Sequence, residues 1–185
     1  MQFFYFVFIS FIAVQISALK TSSITMKSYL GKAPIFVAGG SRGVGLEIVK
    51  QLSALGTPVR ALVRRPESKV ELEKLSGVKV FIGDAKDAAA VQQAMEECVA
   101  AVSTLGGKDP SGDRIDYIGN SNVVEQAGIL GCERIVLVTS IGCGSTRGAV
   151  SDQVYAVLEE AILAKNKAER DLRMYTNLVR TLILT

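Results

Sequence analysis

The sequence predicts a doubly wound parallel α/β sheet of about six strands. Two observations carry this reading. From residue 34 to the end, short apolar runs alternate with segments of helical periodicity. The strand-like runs are apolar throughout rather than alternately polar, as in a parallel sheet covered by helices on both faces. Right-handed crossovers then give the doubly wound arrangement, with any ligand beyond the carboxyl ends of the strands.

The elements follow in order. Ile35–Ala38 reads as the first strand. A helix from about Val44 to Leu55 places Ile48, Leu52 and Leu55 on one face, and Gly56 stops it. Val59–Val63 is the second strand, followed by a short polar helix whose first turn accommodates Pro66. Val78–Ile82 is the third strand, ending in Gly83 and Asp84, and Ala88–Cys98 is an alanine-rich helix. Ala100–Ser103 is the fourth strand, Arg114–Ala127 the next helix, and Arg134–Val138 the fifth strand. A long helix over Gln153–Arg173 is expected to bury Val154, Val157, Leu158, Ala161, Ile162 and Leu172. Asn177–Ile183 is the sixth strand.

Between the first strand and first helix lies GGSRGVG, residues 39–45. Gly39 suits a sharp turn, Gly43 lets the backbone approach a pyrophosphate, and Gly45 lets helix and strand pack closely. The helix N-terminus would present free N–H groups to the phosphates. Ser41, Arg42 and Val44 fall in the same loop and are expected beside the cofactor. The second strand ends in Arg64 and Arg65, where a carboxylate would be needed to bond the ribose hydroxyls of NAD. Guanidinium groups there, with Arg42 in the loop, match a phosphate, so NADP(H) is favoured over NAD(H). One of the two arginines after the strand is equally readable as a solvated charge.

Composition narrows the function. The 185 residues carry a net charge of +3, with no run of cations interleaved with aromatics, so nucleic-acid binding has no support. Histidine is absent, which excludes a histidine triad, a histidine general base and a histidine-ligated metal. Cys98, Cys132 and Cys143 show neither metal-ligand nor disulfide spacing and read as buried free thiols.

Residues 1–33 read as a targeting leader and 34–185 as the folded domain. Residues 3–19 are almost wholly apolar, like a signal-peptide core, with Ser17 and Ala18 near a cleavage point; the basic start of such a peptide is missing. Residues 20–33 are rich in hydroxyls, basic and free of acids, like a transit peptide. The two together resemble the leader of proteins bound for a plastid of secondary origin. A plain secretory leader with a spacer, or an uncleaved membrane anchor, are the alternatives.

The runs VAGGSRGVG, RALVRRPE, VFIGDAKD, VSTLGG and RIVLVTSIGCG, then AKNKAE in the last helix, resemble the atypical short-chain dehydrogenase/reductase group, and within it the NmrA-like, NAD(P)H-binding members. The resemblance covers residues 34–180. The glycines here follow GxxxGxG, where many atypical members have GxxGxxG, so Arg42 stands where those have glycine. The resemblance implies that Asp84 contacts adenine, a role compatible with capping the next helix, and that Thr104, Leu105 and Gly106 line the nicotinamide-side ribose. It also implies a serine after the fifth strand, matched by Ser140, and a helical lysine, matched by Lys165 with Glu169 trailing it. The tyrosine that conventional members carry four residues before the lysine is replaced by Ala161, so the conventional proton relay is broken. Ser140 as a turn cap and Lys165 as a surface ion-pair partner remain open at this point.

Relatives in that group continue after the sixth strand with Arg-Pro-Gly and a substrate-covering region; here Arg180 is followed by TLILT, so a sheet truncated at its C-terminal end is expected. Two hypotheses follow, with an inactive fragment as a third reading. One is an NADP(H)-dependent atypical short-chain oxidoreductase acting on a small molecule. The other is a catalytically silent NADPH-binding scaffold or assembly factor with a protein or membrane partner.

Overall fold

The computed structural model describes residues 33–109 and 111–175, together with the backbone of Arg180–Leu184. The leader expected over residues 1–33 lies, apart from Ala33, outside the described residues. Among the described residues no helix is long and apolar enough to cross a membrane.

The elements run β1 (Ile35–Ala38), α1 (Gly43–Ala54), β2 (Val59–Val63), α2 (Pro66–Leu72), β3 (Val78–Ile82), α3 (Ala88–Met95), β4 (Ala100–Ser103), α4 (Ile118–Ile129), β5 (Arg134–Val138), a 3-10 turn (Gly144–Ala149), α5 (Asp152–Met174) and β6 (Arg180–Leu184). The six strands form one parallel sheet in the order β3-β2-β1-β4-β5-β6. Strand order reverses at β1, which lies between β2 and β4 with Val37 in register with Ala61 and Val102.

β1 is short and wholly apolar because both its faces are covered. Phe36 and Ala38 point into a core shared with Val91 and Met95 of α3, Val123 of α4 and Leu172 of α5. Ile35 and Val37 point to the opposite core, against Ile48 and Leu52 of α1 and Leu72 of α2. The sheet is thus the middle of three layers.

Several boundaries differ from the sequence reading, each for a physical reason. α3 ends at Met95 rather than Cys98 because Glu97 adopts a φ of +63°, outside the helical range. The Arg60 guanidinium donates to the Glu96 carbonyl just beyond the helix end. α4 begins at Ile118, not Arg114. Arg114 instead bridges back to Lys108, Ile115 enters the core, and Asp116 bonds the preceding loop. α5 starts one residue earlier than expected, at Asp152, where the Ser151 side chain accepts from the Val154 N–H at 3.3 Å.

The buried face of α5 is corrected as well. Ile162 and Leu172 are buried as expected, together with Lys165, Ala168 and Glu169. Val154, Val157 and Leu158 are exposed, Val157 at 84%. The last strand is described from Arg180 onward, so the expected start at Asn177 lies outside the described residues.

Candidate functional site

The chain leaves β1 through Gly39, whose φ of +82° is strained for any residue with a side chain. The hydroxyl of Thr104, just past β4, donates to the carbonyls of Ala38 at 3.1 Å and Gly39 at 3.3 Å. It fills the space under the loop so completely that a Cβ on Gly45 would collide with it and with the Gly39 carbonyl. α1 then begins with no side chain capping its N–H groups and no acid in its first turn. Unsatisfied donors at a helix N-terminus, free of competing carboxylates, form a site for an anion. The loop keeps this shape, with its N–H groups open to a group such as a pyrophosphate, only with glycine at 39 and 45, since a Cβ at either would collide with Thr104.

Two adjoining concavities open at this point. A cleft of about 300 Å³ crosses the ends of β1, β4 and β5. It brings together Gly39, Ser41, Arg42, Gly43, Val44, Gly45, Arg64, Thr104, Leu105, Gly106 and Lys165 from the sequence reading. A wider bay of about 730 Å³ continues toward β2 and β3 and adds Arg65 and Asp84, sharing Ser41, Arg42 and Arg64 with the cleft.

The bay is lined by four cations, Arg42, Arg64, Arg65 and Lys108. Its acids are Asp84 and Asp109. The Asp109 charge is matched by Lys86, whose Nζ lies 2.5 Å away. Hydrogen bonding to that ammonium, then to the Ser111 hydroxyl, holds the Asp109 carboxyl well below the usual carboxylate range. Asp84 Oδ1 accepts from the Lys86 N–H at 2.9 Å, and the cap of α3 is Asp87, not Asp84.

The catalytic candidates divide. Lys165 is only 9% exposed, lines the cleft, and donates to the Leu105 carbonyl at 3.0 Å. Its trailing Glu169 is buried on the same helix and pairs with Arg173 at 3.5 Å. Ser140 lines neither concavity, and its Oγ donates to the Ile141 carbonyl at 3.2 Å. The residue before it, Thr139, lines the cleft instead.

Sequence reasoning missed three residues that shape this region. Asp116 is 1% exposed and its carboxylate meets Lys165 and Arg114 beneath the Leu105–Gly107 loop. Asn120 is fully buried and donates to the Asp116 carbonyl at 2.7 Å. Lys108 lines the bay together with the arginines. The signal available for Asp116 and Asn120 was their polarity inside an otherwise core-forming segment, which demands internal partners. The cysteines take no part in the cleft lining; Cys98, Cys132 and Cys143 are free and buried.

Comparison with known proteins agrees with this geometry. A family model described as NAD(P)H-binding matches residues 39–183. A chloroplastic, uncharacterized protein of Arabidopsis thaliana is 31% identical over 146 residues, covering 65% of this chain and 44% of that protein. A phenylcoumaran benzylic ether reductase of Ginkgo biloba is 33% identical over 85 residues, covering 42% of this chain and 28% of that protein. The chain thus spans less than half the length of these curated relatives. Among solved structures, an anaerobillin reductase of Escherichia coli O157:H7 superposes with a TM-score of 0.71 at 31% identity, over 81% of this chain and 70% of that one. A Bordetella bronchiseptica enzyme solved with NAD+ shares the fold, with a TM-score of 0.62 at 21% identity, over 82% of this chain and 55% of that one. The glycine cradle, the strand order and the matched span together place this chain in the NAD(P)H-binding family, with the oxidoreductase-type Rossmann fold.

Proposed function

We propose that this chain is an NADPH-dependent reductase of a small organic acceptor. The carrying observation is the bay at the end of β2. Arg42, Arg64 and Arg65 stand where a 2′-phosphate would lie, and the residues directly after the strand include no carboxylate to bond a free ribose hydroxyl. A guanidinium makes paired hydrogen bonds to a phosphate, so this end discriminates NADPH from NADH.

Bound NADPH would supply hydride to the acceptor. The chain supplies binding and orientation. The N–H groups of α1 hold the pyrophosphate, Asp84 faces the adenine end, and Thr104, Leu105 and Gly106 form the floor of the nicotinamide end. Lys165 places its ammonium against a ribose hydroxyl, from where it also offers a proton to a reduced acceptor. Two relatives above 30% identity are named reductases, of anaerobillin and of a benzylic ether, which supports reduction of an organic small molecule over other uses of the fold. The transit-like leader and the chloroplastic relative support a plastid location.

The second reading, a silent NADPH-binding scaffold, draws on Ala161 in place of tyrosine and on Ser140 turned to the Ile141 carbonyl. The test begins with calorimetric titration of the full chain with NADPH and NADH, repeated with Arg64→Ala plus Arg65→Ala. Tighter binding of NADPH, reduced at least tenfold in the double variant while NADH is unaffected, is the expected result. Equal affinity for both cofactors would remove the NADPH assignment. Oxidation of NADPH in the presence of an acceptor, anaerobillin first, then separates reductase from scaffold.

A further inference from the structure

We propose that Asp116 is the positioning residue for Lys165, holding its ammonium at the cofactor end of the cleft in place of the tyrosine partner that this helix lacks. The inference rests on the reading of Lys165 as a ribose contact and adds the residue through which that contact is set.

The geometry is specific. Asp116 Oδ1 lies 3.5 Å from Lys165 Nζ, and Oδ2 accepts from the Gly107 N–H at 3.1 Å and pairs with Arg114 at 3.1 Å. The lysine also donates to the Leu105 carbonyl. A Cβ on Gly106 would stand 3.1 Å from Asp116 Oδ1 and 3.2 Å from Lys165 Nζ, so the pair presses against the underside of the loop that floors the cleft. The main chain that carries Asp116 is fixed from below. The Asn120 side chain donates to the Asp116 carbonyl, and its Oδ1 accepts from the buried Ser103 hydroxyl at 2.5 Å.

A lysine near the edge of a core normally extends its stem until the ammonium reaches water. Keeping that ammonium buried is unfavourable unless a carboxylate and hydrogen-bond acceptors surround it. Among the described residues Asp116 is the one carboxylate paired with Lys165. One turn earlier on α5 the side chain is Ala161, which offers no hydrogen bond. The aspartate therefore carries the orienting task from α4's leading segment rather than from α5 itself. Because it acts through the lysine, its removal should matter only while the lysine is present.

The test is a double-mutant cycle on NADPH affinity, using the full chain and calorimetry, with Asp116→Asn, Lys165→Met and both together. Asparagine keeps an acceptor for the Gly107 N–H and removes the charge. Each single variant is expected to bind about tenfold more weakly, the double no more weakly than Lys165→Met, and Asp116→Glu to recover to within threefold of the parent. Multiplying losses in the double variant would show that Asp116 acts on the loop alone, and unchanged affinity in Asp116→Asn would equally overturn the proposal. Unchanged affinity in Lys165→Met would remove the lysine contact on which it rests. Absence of NADPH binding by the parent chain would instead remove the cofactor reading itself. Should Asp116→Asn lose its cooperative melting, Asp116→Ser, which also removes the charge, takes its place in the cycle: a loss seen with Lys165 and absent with Lys165→Met supports the proposal, and the same loss in both backgrounds, or no loss with Lys165, overturns it.

Discussion

The Thr104 hydroxyl lies directly beneath Gly45: a Cβ on that glycine would stand 2.5 Å from Thr104 Oγ1. The contact joins the start of α1 to the end of β4 and leaves no room for a methyl group. Gly45→Ala is therefore expected to destabilise the fold by about 1–3 kcal/mol through overpacking. It should also weaken NADPH binding by displacing the first turn of α1. Urea unfolding and calorimetry check both effects. Gly148→Ala, where a Cβ meets open space, is the matched control and should leave both unchanged.

The Lys86–Asp109 pair makes a pH-dependent contribution with a defined sign. Hydrogen bonding to Lys86 lowers the folded-state pKa of Asp109 below its usual 3.8, so the contribution is complete above that value and is lost as pH falls through the lowered one. Hydrogen bonding to Asp109 raises Lys86 above its usual 10.5, so that contribution is present below 10.5 and is lost as pH rises through the raised value. Asp109→Asn should flatten the fall in urea stability below about pH 4, and Lys86→Gln the fall above about pH 10.5. An unaltered slope in either variant would show that the pair contributes nothing measurable.

The thiols should be inert in the folded chain. Burial pushes Cys98 up to about 12 and Cys132 to about 11, and raises Cys143 as well. Since the thiolate is the reacting form, a disulfide reagent at pH 8 should label these residues only as fast as the chain unfolds. Labelling rates should rise steeply with urea and fall when NADPH is added. Rapid labelling without denaturant would contradict the burial.

The two ends of α5 should respond unequally to substitution. Val157→Ser, at an 84% exposed position, is expected to change stability by less than about 0.5 kcal/mol. Leu172→Ala, at a fully buried one, should cost about 2–5 kcal/mol. Chemical denaturation of the two variants makes the comparison directly.

That contrast also shows what sequence periodicity conveys. The spacing of apolar residues along α5 identified the side of the helix that turns inward, and Ile162 and Leu172 lie on it. It carries no information on how far the rest of the core extends along that helix, so the spacing alone places Val154, Val157 and Leu158 in a core that does not reach them. The β1 loop was legible because its determinants are local: an apolar strand, closely spaced glycines and a helix in unbroken succession. Asp116 was not, because its meaning lies in Lys165, Gly107 and Arg114, which only the folded chain brings around it. The start of α4 was misplaced for a related reason. Its N-cap residue, Tyr117, makes no side-chain capping bond, so no capping residue marked the boundary.

The strand order carries a consequence for how the chain assembles. β1 to β3 pair with sequence neighbours, and so do β4 to β6, whereas joining β1 to β4 brings together residues such as Gly39 and Thr104, 65 positions apart. That junction has the largest loop-closure entropy between its flanking segments and is the natural late step of folding. The dinucleotide cradle straddles this seam. A nucleotide that binds only the joined form would act as a staple between two half-sheets, slowing their separation more than any local opening within either half.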